Sequence, residues 1–147
     1  MTVRQATIAD LDLLVPLFDG YRQFYEQSSD LAGARAFLVE RFQHQQSVIL
    51  IGFDGDQAVG FTQLFPSFSS VRMARIFVLN DLFVSPAVRG SGFGRALLDA
   101  ACDYGRQVGA IRLTLRTAVT NTTAQAAYER AGWTRDTEFY GYDISLT

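Results

Sequence analysis

The stretch from Val78 to Leu98, VLNDLFVSPAVRGSGFGRALL, limits what this chain can fold into more than any other. Its first part is apolar except for Asn80 and Asp81, and its Val, Leu and Phe residues suit a strand covered on both faces. Ser85 and Pro86 stop that strand, since proline has no N–H to give a sheet. Arg89, Gly90, Ser91, Gly92, Phe93 and Gly94 follow, with glycine at every second position from 90 to 94. Without Cβ atoms in the way, main-chain N–H groups there can approach a ligand closely. A helix starting at this point adds its unpaired first-turn donors and the positive end of its dipole. Strand, glycine turn and helix N-terminus together predict an anion site of the pyrophosphate kind, with Arg89 and Arg95 as extra charge.

Spacing excludes two familiar phosphate motifs. The dinucleotide fingerprint G-x-G-x-x-G requires glycine where Arg95 stands, and G-x-x-x-x-G-K-[ST] requires lysine, whereas all 13 basic residues are arginine. What remains is Arg-x-x-Gly-x-Gly on Arg89, Gly92 and Gly94. A second motif begins at Asn121 and reads NTTAQAAYERAGW. Asn121, Ala124 or Gln125, and Tyr128 fall three, four and seven positions apart, so they share one helix face. Gly132 is placed to end this helix and turn Trp133 back.

Both motifs resemble those of the GNAT superfamily of N-acetyltransferases, the first its acetyl-coenzyme A motif and the second its N-x-x-A-x-x-x-Y pattern. The specific motifs cover about residues 78 to 98 and 121 to 133, while the order of elements is similar over nearly the whole chain. The resemblance implies a mixed α/β fold with antiparallel N-terminal strands, flanking helices and a central parallel pair that splays apart. The pantetheine arm of the cofactor then enters the gap and pairs with main-chain groups of Leu82, Phe83 and Val84. Gly90, Ser91, Gly92, Phe93 and Gly94 with Arg89 and Arg95 hold its pyrophosphate. Asn121 hydrogen-bonds the pantetheine or pyrophosphate region, and Tyr128 stands beside the thioester sulfur.

Composition supports this frame. A length of 147 residues with 48% hydrophobic content predicts one domain, 1–147, with an ample core. A net charge of −2 and a pI near 5.3 argue against nucleic-acid binding, and they suit a cationic substrate or simple solubility equally. The one cysteine, Cys102, rules out an internal disulfide and suits a reducing compartment. No apolar run matches a signal peptide in MTVRQATIAD, and none approaches the ~18 residues of a membrane span, so a soluble cytoplasmic protein without membrane partners is expected.

In chain order, Val3 to Ala6 predicts a strand, and Thr7 to Asp10 a capping box. Leu11, Leu14, Phe18, Tyr21 and Tyr25 form a helical stripe that Pro16 and Gly20 interrupt, which predicts a kink or two short helices. Tyr21, Arg22 and Tyr25 either line a substrate opening or rim a helix packed on the sheet. Ser28, Ser29 and Asp30 cap a second helix, with His44 near its end in a dipole or surface role. Ser47 to Phe53, the turn Asp54-Gly55-Asp56, and Ala58 to Phe65 read as a hairpin. Pro66 to Ser70 reads as a looser turn into a long strand, Val71 to Val84. Leu97, Leu98, Ala101 and Cys102 lie on a buried helix face, which makes Cys102 a core residue. Ile111, Leu113 and Leu115 form a strand parallel to the one before the helix. Thr134 to Thr147 alternates as closing strands, whose Tyr140 and Tyr142 border the acceptor pocket, edge the sheet or form a homodimer surface.

The implied chemistry is direct acyl transfer from acetyl-coenzyme A to a primary amine. The amide N–H of Val84 or a neighbour steadies the developing oxyanion, and the Tyr128 hydroxyl protonates the leaving sulfur. No covalent intermediate and no metal is called for. Many relatives carry Glu-Asp where this chain has Asn80-Asp81, and Asn80 cannot accept a proton. Asp81 is therefore the base or an amine-binding carboxylate, with a water chain as the alternative. Neighbouring strand residues point to opposite faces unless a bulge intervenes, so Asn80 is a substrate-side candidate too. A polyamine-like or amino-acid-like acceptor suits so compact a chain, and a protein amine, an aminoglycoside or a non-catalytic acyl-coenzyme A sensor are the other readings.

Overall fold

A computed structural model describes residues 1–147. Its centre is the antiparallel pair β3 (Gln57–Ser69) and β4 (Ala74–Val84). Before it come β1 (Thr2–Gln5), helix α1 (Leu11–Phe24), helix α2 (Leu31–Gln43) and β2 (Val48–Asp54). After it come helix α3 (Phe93–Gln107), β5 (Arg112–Thr114) and helix α4 (Thr122–Arg130). The five strands form one sheet in sequence order, antiparallel until β4 pairs with β5 in parallel. Residues 1–116 and 117–147 are two compact units.

In the larger unit, alternation along β2 decides which side each helix covers. Ile49 and Ile51 join Leu14, Val15, Phe18 and Leu38 of α1 and α2, together with Phe61 and Phe83. The intervening face carries Gly52 and Gly60, each of which lets Leu97 of α3 lie close to the sheet. A Cβ on Gly60 would stand 2.7 Å from the carbonyl oxygen of Phe83, so only glycine fits between the strands and the helix. Burying each such Leu, Ile or Phe contributes roughly 1.5–3 kcal/mol, which is how a short chain holds three layers together.

The capping box forms: Thr7 Oγ1 accepts from the N–H of Ala9, and Asp10 Oδ2 accepts from that of Thr7 at 2.9 Å. It opens a short 3-10 turn that leads into α1. Of the two outcomes expected at Pro16 and Gly20, two short helices do not form: Leu11–Phe24 is one helix. Pro16 is exposed and removes a single bond, whereas Leu11, Leu14, Val15, Leu17 and Phe18 are all buried. Gly20 does not end the helix but makes a notch, because a Cβ there would meet the Phe83 ring at 3.0 Å.

The hairpin turns at Gly55, with φ of +60°. The looser turn expected at Pro66–Ser70 lies further on. Pro66 sits inside β3 opposite Phe77, and the chain turns between Ser69 and Ala74, where Val71 and Met73 are exposed. Beyond Leu64, β3 is paired only with β4, and proline is tolerated where its missing donor faces away from a ladder.

In the smaller unit, Asn121 caps α4, its Oδ1 accepting from the N–H of Ala124 at 3.2 Å. Gly132, at φ +93°, closes the helix: its N–H donates to Glu129 O, and that of Trp133 donates to Tyr128 O, each at 3.0 Å. The Tyr128 and Trp133 rings meet across this cap with centroids 6.3 Å apart. The closing strands expected from Thr134 to Thr147 are absent, and the segment has no regular secondary structure. Asp136 Oδ1 accepts from the N–H groups of Glu138 and Phe139 at 2.9 and 3.1 Å, a local turn that competes with a ladder.

Candidate active site

Asp81 lies in the middle of β4 and is 2% exposed. The β3–β4 register slips beside it, Gln63 standing opposite Asp81 and Leu64 opposite Leu79, so Asn80 is the extra residue of a bulge. The bulge lets Asn80 and Asp81 line one cavity although they are adjacent in a strand. Asn80 Nδ2 donates to Asp81 Oδ1 at 2.7 Å, and Gln63 Nε2 donates to Oδ2 at 2.5 Å. Ser47 Oγ donates to Gln63 Oε1 at 2.7 Å, which fixes the amide with its N–H₂ end toward the carboxylate. Burial pushes the Asp81 carboxyl above the usual carboxylate range, against the opposing pull of its bonds with Asn80, Gln63 and Tyr21.

This carboxyl opens onto a cavity of about 380 Å³. Phe18, Tyr21 and Arg22 of α1, Phe37 of α2 and Phe65 of β3 wall it, with Asp30 at the turn between the helices. Tyr21 donates its hydroxyl to Asn80 O at 3.2 Å, so the aromatic wall is tied to the bulge. Buried Asp19 shapes the turn, accepting from the N–H of Asp30 at 2.8 Å and from Ser29 Oγ at 2.7 Å. Tyr21 and Arg22 thus line the cavity; Tyr25 stacks edge-on against Tyr21, is 58% exposed and is not part of the lining. Sequence reading missed Gln63. The signal was there, a polar Thr62-Gln63 pair inside the apolar run FTQLF, where an unexplained polar group needs a buried partner.

The glycine turn follows the C-terminal end of β4. Gly90 and Gly92 have φ of +83° and +89°, a region glycine enters without strain, and Gly92 is the N-cap of α3. No side chain caps that helix, so its first N–H groups remain for a ligand. A Cβ on Gly90 or Gly94 would meet nothing within 4 Å, so both positions border open space. The donor set fits a pyrophosphate. Arg89 donates Nε to Val84 O at 2.9 Å and lies over the Phe24 and Phe83 rings, while Arg95 pairs with Asp99 at 3.0 Å. The β4–β5 ladder covers only Ile76 to Val78, which leaves Leu82, Phe83 and Val84 unpaired toward β5.

Cys102 is half-buried on α3, and burial raises its thiol, which makes a resting thiolate nucleophile unfavourable. His44 caps the C-terminal end of α2 and is not among the residues of the cavity. Asn121 is the N-cap of α4, and Tyr128 lies on that helix and is half-buried.

Residues 14–133 match the acetyltransferase (GNAT) family. An uncharacterized N-acetyltransferase of Bacillus subtilis is 49% identical over 146 residues, covering 99% of this chain and 98% of its own. A probable acetyltransferase of Haemophilus influenzae is 34% identical over 65% of this chain and 66% of its own. The crystal structure of a probable acetyltransferase superposes with a TM-score of 0.95 at 38% identity, over 100% of this chain and 99% of that one. A strand ending in an uncapped glycine turn and a bulge that buries a carboxylate beside it thus occur in a chain that belongs to the GNAT family of acetyltransferases.

Proposed function

We propose that residues 1–147 act as one N-acetyltransferase domain that moves the acetyl group of acetyl-coenzyme A onto a primary amine of a small, polyamine-like or amino-acid-like molecule. The observation that carries this reading is the buried Asp81 carboxylate at the floor of an aromatic cavity. A protonated amine entering that cavity meets ring faces and a carboxylate, which together favour a cation. Asp81 takes the amine's proton, and its raised affinity for protons suits a base working near neutral pH.

The N–H groups at the start of α3 and the turn Arg89–Arg95 are the residues to hold the cofactor's pyrophosphate, with Leu82, Phe83 and Val84 along its pantetheine arm. When bound, acetyl-coenzyme A supplies an acetyl thioester, whose carbonyl carbon the amine attacks and whose sulfur departs as a thiolate. The Val84 N–H steadies charge at the carbonyl oxygen, and the Tyr128 hydroxyl donates the proton that the leaving group needs. Asn121 uses its oxygen as the α4 cap and offers its N–H₂ end to the cofactor. The single cysteine supports a reducing compartment, the cytoplasm.

A coenzyme A release assay over polyamines, amino acids, aminoglycosides and peptides tests this. Turnover with one of the small amines, lost in Tyr128→Phe while coenzyme A affinity is kept, is the expected result. Cofactor binding with no turnover on any amine would instead identify an acyl-coenzyme A sensor.

A further inference from the structure

A second cavity, of about 430 Å³, opens where β2 and β4 begin, and every residue around it belongs to the unit 1–116. Phe42 near the end of α2, Phe77 of β4 and Tyr104 of α3 give it aromatic walls, and Gln5 and Gln45 add amides. Arg75 is the one charged side chain that lines it. The acceptor cavity has the opposite balance, with two carboxylates, Asp30 and Asp81, against a single Arg22.

Arg75 is held in place by its strand. It stands opposite Phe68 in the β3–β4 ladder, and its carbonyl accepts from the N–H of Ile111 at 2.9 Å. Its guanidinium lies over two rings, 4.7 Å from the Phe68 centroid and 5.7 Å from that of Phe77, while Phe77 meets Tyr104 edge-on at 5.7 Å. Ring faces attract the charge, yet they leave the five N–H donors of a guanidinium without an oxygen partner. Arg75 forms no ion pair. The acids that flank two of the walls in sequence, Glu40 and Asp103, are already paired with Arg41 and Arg106 at 3.2 and 3.1 Å.

We infer that this cavity is a second binding site, for a small carboxylic acid with an aromatic body. The carboxylate lies across the Arg75 fork in the two-bond arrangement that a guanidinium favours. The ring of the ligand displaces water from Phe42, Phe77 and Tyr104, whose edges and faces suit offset or edge-on contact. Gln5 and Gln45 offer both donors and acceptors to a polar substituent. An amine is rejected by the same residues, because it brings a second positive charge to Arg75 and meets no carboxylate. The volume falls within the roughly 300–1,000 Å³ of small-molecule sites. Because the strand register and the two rings fix Arg75 beforehand, little side-chain freedom is left to lose on binding.

Titration of the labelled full chain with phenylacetate, in the presence of excess coenzyme A, tests this through the amide proton–nitrogen spectrum. Saturating shifts are expected at the amides of Val48, Arg75, Phe77 and Tyr104. The Kd for phenylacetate should be at least tenfold below that for phenylacetamide, which has the same shape without the charge, and Arg75→Gln should lose this preference. Equal binding of acid and amide overturns the inference, and so does the absence of saturable shifts. Saturating shifts confined to the acceptor cavity around Arg22 and Asp81, or to the glycine turn, overturn it as well. A folded Arg75→Gln protein that keeps the preference has the same force. If that variant does not fold, the acid–amide comparison and the shift map on the parent decide the question. No readout here involves turnover, so the result stands whichever amine the acceptor cavity takes.

Discussion

Replacing Asp81 by Asn separates chemistry from stability at one atom pair. The carboxylate accepts two side-chain amide donors, at 2.5 Å from Gln63 and 2.7 Å from Asn80, so both oxygens are used. Asparagine keeps one acceptor and turns an N–H₂ group on the other donor, which loses a charge-assisted bond of about 1.5–3 kcal/mol. The same change removes a buried charge whose desolvation outweighs its bonds, as the upward displacement of its proton affinity records. The two effects oppose, so the melting temperature should move by only a few degrees. Activity behaves differently. A general base contributes about 10²- to 10⁴-fold, roughly 3–5 kcal/mol of barrier, and kcat/KM should fall accordingly. The parent's acid limb, lying above the ordinary carboxylate range, should vanish in the variant. The stability difference should also drift with pH. A carboxyl with a raised proton affinity binds its proton more tightly folded than unfolded, so the parent loses stability as pH climbs through that window and the variant does not. Kinetics measured from pH 5 to 9 beside thermal melts check all of this. A folded variant with unchanged kcat/KM at every pH would refute the assignment of Asp81 as base.

Other perturbations bear on separate parts of the account. Gly94→Ala places its methyl in open space and strengthens a helix by about 0.5–1 kcal/mol, so its melting temperature should hold or rise while its Kd for coenzyme A increases about tenfold or more, as calorimetry would record. Gln63→Leu removes a donor that holds the Asp81 proton affinity down, so the acid limb of kcat/KM should move to higher pH. Gly60→Val forces atoms against the Phe83 carbonyl and the Leu97 side chain, and should cost several kcal/mol in denaturant unfolding, with loss of soluble protein as the extreme. Asp10 is held below the usual carboxylate range by its bonds to Arg4, so its contribution is present above the ordinary carboxylate value and disappears as pH falls. Asp10→Asn should flatten that acid-side dependence of the melting temperature.

What the sequence made legible was local. The glycine turn, the capping box at Thr7, the Gly55 hairpin and the Gly132 helix end each follow from a few adjacent residues whose backbone needs are specific. The two-helix alternative for α1 fails because local propensity counts Pro16 and Gly20 as breakers, whereas a buried face and the Phe83 ring decide the helix's continuity from afar. Gln63 escaped notice for a related reason. Its role depends on a strand partner eighteen positions away and on a register slip that no short window contains. The arm beyond Trp133 has a strand's alternation without a strand's ladder, because alternation describes side chains and a ladder needs a neighbour.

The amide proton–nitrogen correlation spectrum of the labelled protein, titrated with coenzyme A, tests the central claim most directly. A pyrophosphate cradle at the glycine turn predicts the largest saturating shifts at the N–H groups of Gly90 to Arg95 and at Leu82 to Val84. Saturable binding that leaves those amides unmoved while others shift would contradict it.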